Sequence, residues 1–455
     1  MNQIDQHHEP VRVSEQTRRM RWPLFVGLVI LLVATFVVWR LHARAQVNAE
    51  LEAIRAAGFP ATGAELDDWY PQVDDSENAA LVLGAVIHRI AVPPDDETLQ
   101  KLPWLGSAEV PEPGEPYDAD TLAVMRQSLK DNATILPEIH RGAAMDRSRF
   151  PIDLSMGLEV MLPDLCGMRR ACNLTALEVD VNSSDGNAEG AADAAGVIFG
   201  LAHSLKDEPI MISQLVSWAM DQVGVQVVER MLNQATPSDT AMQRLIALIN
   251  RNDHGNGLQR AMVGELAAGS DAFRLPMKEL VDDIGSEDGM LLAHKVVGTL
   301  DVDHRIFLEL MREYVEAAAL PTDQRMKAFE AVAKKIAALR RFPAMFTRLL
   351  ISSLERVAPL DNRARTMRRL AMTALAVERF RLAEGRLPKS LNEVAPKYID
   401  AVPIDPCTGQ SVIYKTTEKG FIIYGTGPDQ TDDGGVRPTD DQFEPGTDAV
   451  FEVGR

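Results

Sequence analysis

Five acids stand close together early in the chain, Asp67, Asp68, Asp74, Asp75 and Glu77, and their type and spacing invite a catalytic or metal-binding reading. Clustered carboxylates can share a proton or hold a hard cation. Their setting points elsewhere. Trp69-Tyr70-Pro71 is a turn, and Asp75 or Ser76 precedes an apolar helical run at Ala79, Leu83, Val86, Ile87 and Ile90. Acids in such places cap helix starts and face water. Glu159, Asp164 and Glu178 lie in an apolar helical stretch, where spacing alone pairs none of them. His88, His140, His203, His254, His294 and His304 are scattered, no two at metal-ligand spacing, and read as surface or satisfied core residues. His7 and His8 fall in a polar tail. H-E-x-x-H, G-x-S-x-G, the phosphate loop and the dinucleotide fingerprint are all missing from the sequence. A non-enzymatic protein is expected, with a hydrolase site assembled across helices as the outlying alternative.

The element that positions everything else is Trp22–Trp39, eighteen residues without a charge, Asn or Gln. At about 1.5 Å per residue it spans roughly 27 Å, close to the hydrocarbon thickness of a bilayer. Tryptophan at each end suits the two interfaces. The run is long for a secretory signal, and Arg40, His42 and Arg44 crowd the A-x-A that follows it, Ala43 and Ala45. An uncleaved single-pass anchor is expected, in the cytoplasmic membrane of a bacterium. The arginines at 12, 18, 19 and 21 before the span slightly outnumber Arg40, Arg44 and Arg55 after it. That favours a cytoplasmic tail at residues 1–21 and an extracytoplasmic body.

The body is long enough for two or three domains. A net charge of −19 speaks against a nucleic-acid surface. Cys166, Cys172 and Cys407 are too few for a disulfide framework. On one helix Cys166 and Cys172 would stand about 9 Å apart, too far for a bridge.

Residues 40–70 read as a stalk helix and linker, and residues 71–357 as a helical domain. Residues 91–117 are a Pro/Gly-rich loop. Helical spacing returns over 118–147. Amphipathic helices are expected at Ala191–Leu205, Ile210–Leu232, Ala241–Ile249, 302–318 and 323–341, with a polar, glycine-containing break around 250–290. Short turns between them suggest a helical-hairpin array. The expected class is mainly α.

The last hundred residues change character. Asp361 can cap a long helix that Gly385 ends. A Gly385-Arg386-Leu387-Pro388 turn leads to Leu391. Pro403-Ile404-Asp405-Pro406-Cys407-Thr408-Gly409 then enters two strands, Ser411–Lys415 and Gly420–Tyr424, with a third at Ala449–Val453. Gly427, Asp429, Gly434 and Gly435 mark the loop beyond. This order resembles the C-terminal half of the type II secretion system major pseudopilin, the secretion protein G family, over residues 365–440. It implies a small α+β pseudopilin-like domain with an antiparallel sheet at 358–455. The whole chain also resembles a group of functionally uncharacterised bacterial single-pass proteins that share the anchor, the Tyr70-Pro71 and Glu77-Asn78-Ala79-Ala80 segments, the helical middle and this tail. It departs from a true prepilin: residues 20–27, MRWPLFVG, lack the processing glycine and the assembly glutamate. A processed pilus subunit is therefore not expected.

The pseudopilin resemblance implies calcium in the loop after the sheet. Calcium takes six to eight hard oxygens in a flexible loop. The candidate ligands are Asp429, Asp432, Asp433, Asp440 and Asp441, with a solvated acidic tail as the competing reading. Together these features imply a membrane-anchored envelope protein that presents a helical body and a pseudopilin-like head to unknown envelope proteins. The alternative is an accessory of a type II secretion or pilus-like machine.

Overall fold

The computed structural model describes residues 15–162, 164–253, 256–275, 298–438 and 446–455. Helix α1, Glu15–Ala56, carries the apolar stretch straight on into the body. Among the described residues it is the one helix long and apolar enough to cross a membrane. Its outer half is no free stalk. Val47, Leu51 and Ile54 are buried in a hydrophobic core with α2 (Gly63–Trp69), so the apolar stretch and the body share one continuous helix.

Helices run through the expected stretches, and one short helix, Asp96–Gln100, also interrupts the stretch expected to be a Pro/Gly-rich loop. In chain order they are α3 (Ala79–Ile87), α4 (Asp96–Gln100), α5 (Ala119–Asp131), α6 (Leu136–Ala143), α7 (Asp164–Ser184), α8 (Ala188–Ser204), α9 (Met211–Gln234) and α10 (Asp239–Asp253). The α3 cap is neither Asp75 nor Ser76, which lie in a short 3-10 turn, but Asn78. Its side chain accepts the Ala80 N–H at 3.1 Å and exchanges hydrogen bonds of 2.9 Å with the backbone of Arg149. One residue thereby starts the helix and fastens it to a distant strand-like segment.

A further helix, α11 (Gly257–Ala272), fills part of the stretch expected to be a polar break. Its glycines conceal it. A Cβ on Gly264 would sit 1.7 Å from the Pro209 carbonyl oxygen, and one on Gly269 2.3 Å from the Phe307 ring. Glycine is there for close approach, against its own helix propensity. Next come α12 (Thr299–Ala319), α13 (Thr322–Ala338), α14 (Met345–Ile351) and α15 (Val357–Glu384). Asp361 lies inside α15 and caps nothing. Gly385, in the left-handed region at φ +68°, ends the helix as expected.

Strands β1 (Ile413–Thr416), β2 (Gly420–Gly425) and β3 (Ala449–Gly454) form one antiparallel sheet in the order β1-β2-β3. Its buried face joins Phe421, Ile423, Phe451 and Val453 to the same core as α3 and α6–α10. The C-terminal sheet and the helical body therefore share apolar contacts. Helix α15 links two cores. Val357, Ala358 and Ala364 lie in the one with α1 and α11–α14, and Met367–Phe380 in the one with the sheet.

Candidate functional site

The acidic loop is shaped by its glycines. Gly434 and Gly435 hold φ of +86° and +89°, and a Cβ on Gly435 would press on Ile422 and Tyr424. The bend turns several carboxylates toward one another. Asp432 accepts from the Gly434 N–H and the Tyr424 hydroxyl, each at 3.0 Å, and these donors hold its carboxyl below the usual range. Asp429 accepts from Thr431 N–H at 3.1 Å and Gly446 N–H at 3.3 Å. Asp440 and Asp441 lie outside the described residues.

The acid that meets the glycine bend is Asp448, which sequence reasoning missed. It is buried, and its Oδ2 accepts the Gly435 N–H at 2.8 Å. Its Oδ1 and the Asp433 Oδ2 are both buried with no hydrogen-bond partner among the described residues. Burial, with Asp433 and Asp432 nearby, pushes the Asp448 carboxyl up. Orphaned buried carboxylate oxygens are costly unless a proton or cation meets them. Among the described residues no three acidic, histidine or cysteine side chains converge as a metal-binding group. The described loop thus offers two partnerless carboxylate oxygens, which suit a hard cation but do not enclose one. The sequence signal for Asp448 was its place immediately before the last strand.

Asp405, from the P-x-D-P segment, has a structural part. Its carboxylate accepts from Cys407 N–H at 3.0 Å and Thr426 Oγ1 at 3.0 Å, and from Thr366 Oγ1 at 3.4 Å. It ties the loop before β1 to both α15 and the end of β2.

The early acids lie at the surface, but none of them is seen to cap a helix with its side chain, and two make ion pairs instead. Asp67 meets Arg149 at 3.0 Å and Glu77 meets Arg147 at 2.9 Å. Two histidines find carboxylates that spacing could not assign, His88 with Asp164 at 2.7 Å and His140 with Glu178 at 2.8 Å. His254 and His294 lie outside the described residues. Cys166 and Cys172 share α7, and both are free thiols, as is Cys407.

A concentration of buried charge lies where α15 passes from one core to the other. Arg368 donates to Asp221 of α9, and both are almost wholly buried. Arg369 donates to Asp253 of α10 at 2.9 Å. Arg365 donates to Asp361 at 3.0 Å, and Arg325 of α13 adds a second donor at 2.8 Å. Burial alone drives the Asp361 carboxyl up, but Arg365 and Arg325 outweigh it and hold it below its ordinary value. From Asp221 a hydrogen-bonded chain continues through Asn252 (3.1 Å) and His203 (2.7 Å) to Lys206 (2.8 Å). It borders a cavity of about 40 Å³ lined by Lys206, Gln214, Asp221, Arg251, Asn252 and Arg368. That volume holds about two or three waters. The network clamps helices together, and its Arg369–Asp253 end borders a wider cavity of about 620 Å³ that Arg379, Lys397 and Tyr398 also line.

Two buried histidines make stability depend on pH. His304 stacks on Phe273 at 4.6 Å with its Nε2 3.1 Å from Ser270 Oγ. Burial, then Arg274, lowers its pKa to about 3. Burial, then Arg251 and Lys206, lowers that of His203 to about 4. Both are neutral in the fold, whereas unfolding restores imidazoles that protonate near pH 6.5. Their contribution is complete above that pH and is lost as pH falls toward the folded values. Glu208 acts in the opposite sense, because burial raises its carboxyl to about 7. Comparison with His304→Gln cancels the other groups. Between pH 7 and 5 the wild type should lose about 2 kcal/mol more than the variant in urea unfolding. Parallel losses would exclude His304 as a source of the dependence.

The chain matches no protein-family description, no curated protein and no solved structure.

Proposed function

We propose that this is a single-pass membrane protein without catalytic activity, whose helical body and pseudopilin-like head make contacts with other envelope proteins. The carrying observation is the unbroken course of α1, which runs from an apolar, fully exposed span into a buried core position. An exposed apolar surface of that length calls for lipid. A cleaved signal fits poorly, because Ala43 of the A-x-A is buried within a helix. A rigid helix that both spans and packs would hold the body at a fixed height above the bilayer. The slight excess of arginine before the span favours the body outside the cytoplasm.

The test is in-cell cross-linking of the tagged full-length protein in its native membrane, followed by identification of captured partners by mass spectrometry. Repeated recovery of a defined set of envelope proteins supports the proposal. Recovery of secretion-platform proteins or pseudopilins would specify an accessory of such a machine. Absence of any specific partner would remove the case for a docking protein.

The orphaned Asp433 and Asp448 oxygens favour one addition, calcium binding at the acidic loop. Asp429, Asp432, Asp433 and Asp448 would contribute oxygens, with Asp440 and Asp441 as further candidates in the same loop. A cation that binds only the folded protein raises its stability, by about 2.7 kcal/mol at a hundred times Kd. Millimolar calcium should therefore raise the Tm of the wild type and leave Asp448→Asn unmoved. In chelator the variant should melt no earlier, since its neutral amide relieves a buried charge that stands beside Asp433 and Asp432. A Tm of wild type indifferent to both calcium and chelator would exclude the site.

A further inference from the structure

From Ala331 to Leu354 the chain carries Lys334, Lys335, Arg340, Arg341 and Arg348 and not one acid, in a protein of net charge −19. The fold puts the middle of this stretch beside the outer end of the span. Helix α12 runs parallel to α1: Asp301 lies 3.7 Å from both Arg40 and Arg44, and Arg312 reaches Glu50 at 2.8 Å. Helix α13 returns alongside α12, with Tyr314 against Phe329 at 5.0 Å and Lys335 on Glu313 at 2.7 Å. The turn that follows is fixed at the same height. Asp303 accepts the backbone N–H of Phe346 at 2.8 Å and of Thr347 at 3.1 Å, and Arg348 donates to the Leu339 carbonyl at 3.0 Å.

Arg44 is five residues beyond Trp39, which is about 7 Å along the helix. The headgroup layer on each face of a bilayer is about 5–7 Å deep. With Trp39 at the membrane interface, the α13–α14 turn would lie level with the headgroups, and Arg340, Arg341 and Phe342 are exposed on it. Neither arginine makes an ion pair among the described residues. Guanidinium groups suit lipid phosphates, and an aromatic ring suits the interface.

We infer that the α13–α14 turn, through Arg340, Arg341 and Phe342, is a second membrane contact that docks the body on an anionic lipid surface. It rests on the membrane-anchor reading proposed above. The span tethers the body at one point, and the turn fixes its tilt. Charge complementarity and continuity with the span select a bilayer as the occupant. Each arginine near an anionic surface contributes about a fivefold preference for the docked state.

The test uses full-length protein in nanodiscs containing phosphatidylglycerol, in a Cys166→Ser background. A fluorophore is placed at exposed Ala338 through Ala338→Cys, and headgroup-spin-labelled lipid is the quencher. A second preparation carries the probe in the span, through Val29→Cys, against chain-labelled lipid. Both probes should be quenched. Arg340→Glu with Arg341→Glu should abolish quenching at position 338 and leave the span probe unchanged. An unquenched probe at 338 beside a quenched span probe overturns the inference and spares the anchor. Undiminished quenching in the double variant also overturns it. An unquenched span probe overturns both.

Discussion

Arg368→Ala should destabilise the protein by about 3–5 kcal/mol, the range for removal of one partner from a buried ion pair. Arg368 is among the largest fully buried side chains, and it faces an equally buried Asp221. Truncation leaves that carboxylate without its cation, removes the Arg368 contact to Asp253 at 4.0 Å, and opens a cavity between α9 and α15. Two observations would separate charge from cavity. Burial already raises the Asp221 carboxyl, with Arg368 the main opposing influence. In the variant it should rise further, so the deficit should shrink between pH 8 and pH 5 as Asp221 takes up a proton. Arg368→Met combined with Asp221→Leu should recover most of the loss, since an apolar pair of similar volume removes both desolvation penalties. Urea unfolding of the single and double variants measures both effects. A single variant within 1 kcal/mol of wild type, estimated as the ordinary effect of a point substitution, would show that the clamp contributes little.

This network also marks where sequence reasoning stopped. Helices α8, α9 and α10 and all three strands were legible, because each carries a local apolar period bounded by a local turn signal. Asp361 was misread as a cap because an acid before an apolar run has the same local signature either way. Its true partners include Arg325, thirty-six residues away. Arg368 and Asp221 are 147 residues apart, and no period links them. Helix α11 was hidden for another reason. Gly264 and Gly269 lower its local propensity so that Pro209 and Phe307 can come close, and this packing need is visible only in three dimensions. The acidic loop was found from composition and resemblance. Asp448 was missed because its burial depends on β3 pairing with β2 across the glycine bend.

The greatest change in behaviour should follow from two charges in the span. Val29→Arg with Val33→Arg should release the protein from the membrane fraction on alkaline carbonate extraction, which the wild type should resist. Twelve Leu, Ile, Val and Phe residues lie between Trp22 and Trp39. On an insertion scale each contributes about −0.3 to −0.6 kcal/mol near the helix centre, roughly −3 to −6 for the ten that the variant keeps. Two central arginines oppose this by about 5–7 kcal/mol. The sum falls close to zero, and the exposed position of this surface offers the new charges no protein partner. The span's one hydroxyl is already satisfied, since Thr35 donates to the Leu31 carbonyl at 2.8 Å. The body should survive the change, because its buried contacts with α1 begin at Ala43 and Val47, beyond both substitutions. Retained helical circular dichroism in the released variant would confirm that membrane insertion and folding are separable along α1. Full retention of the double variant in carbonate-washed membranes would mean that something other than the span holds the protein there, and the α13–α14 turn would be the first place to look.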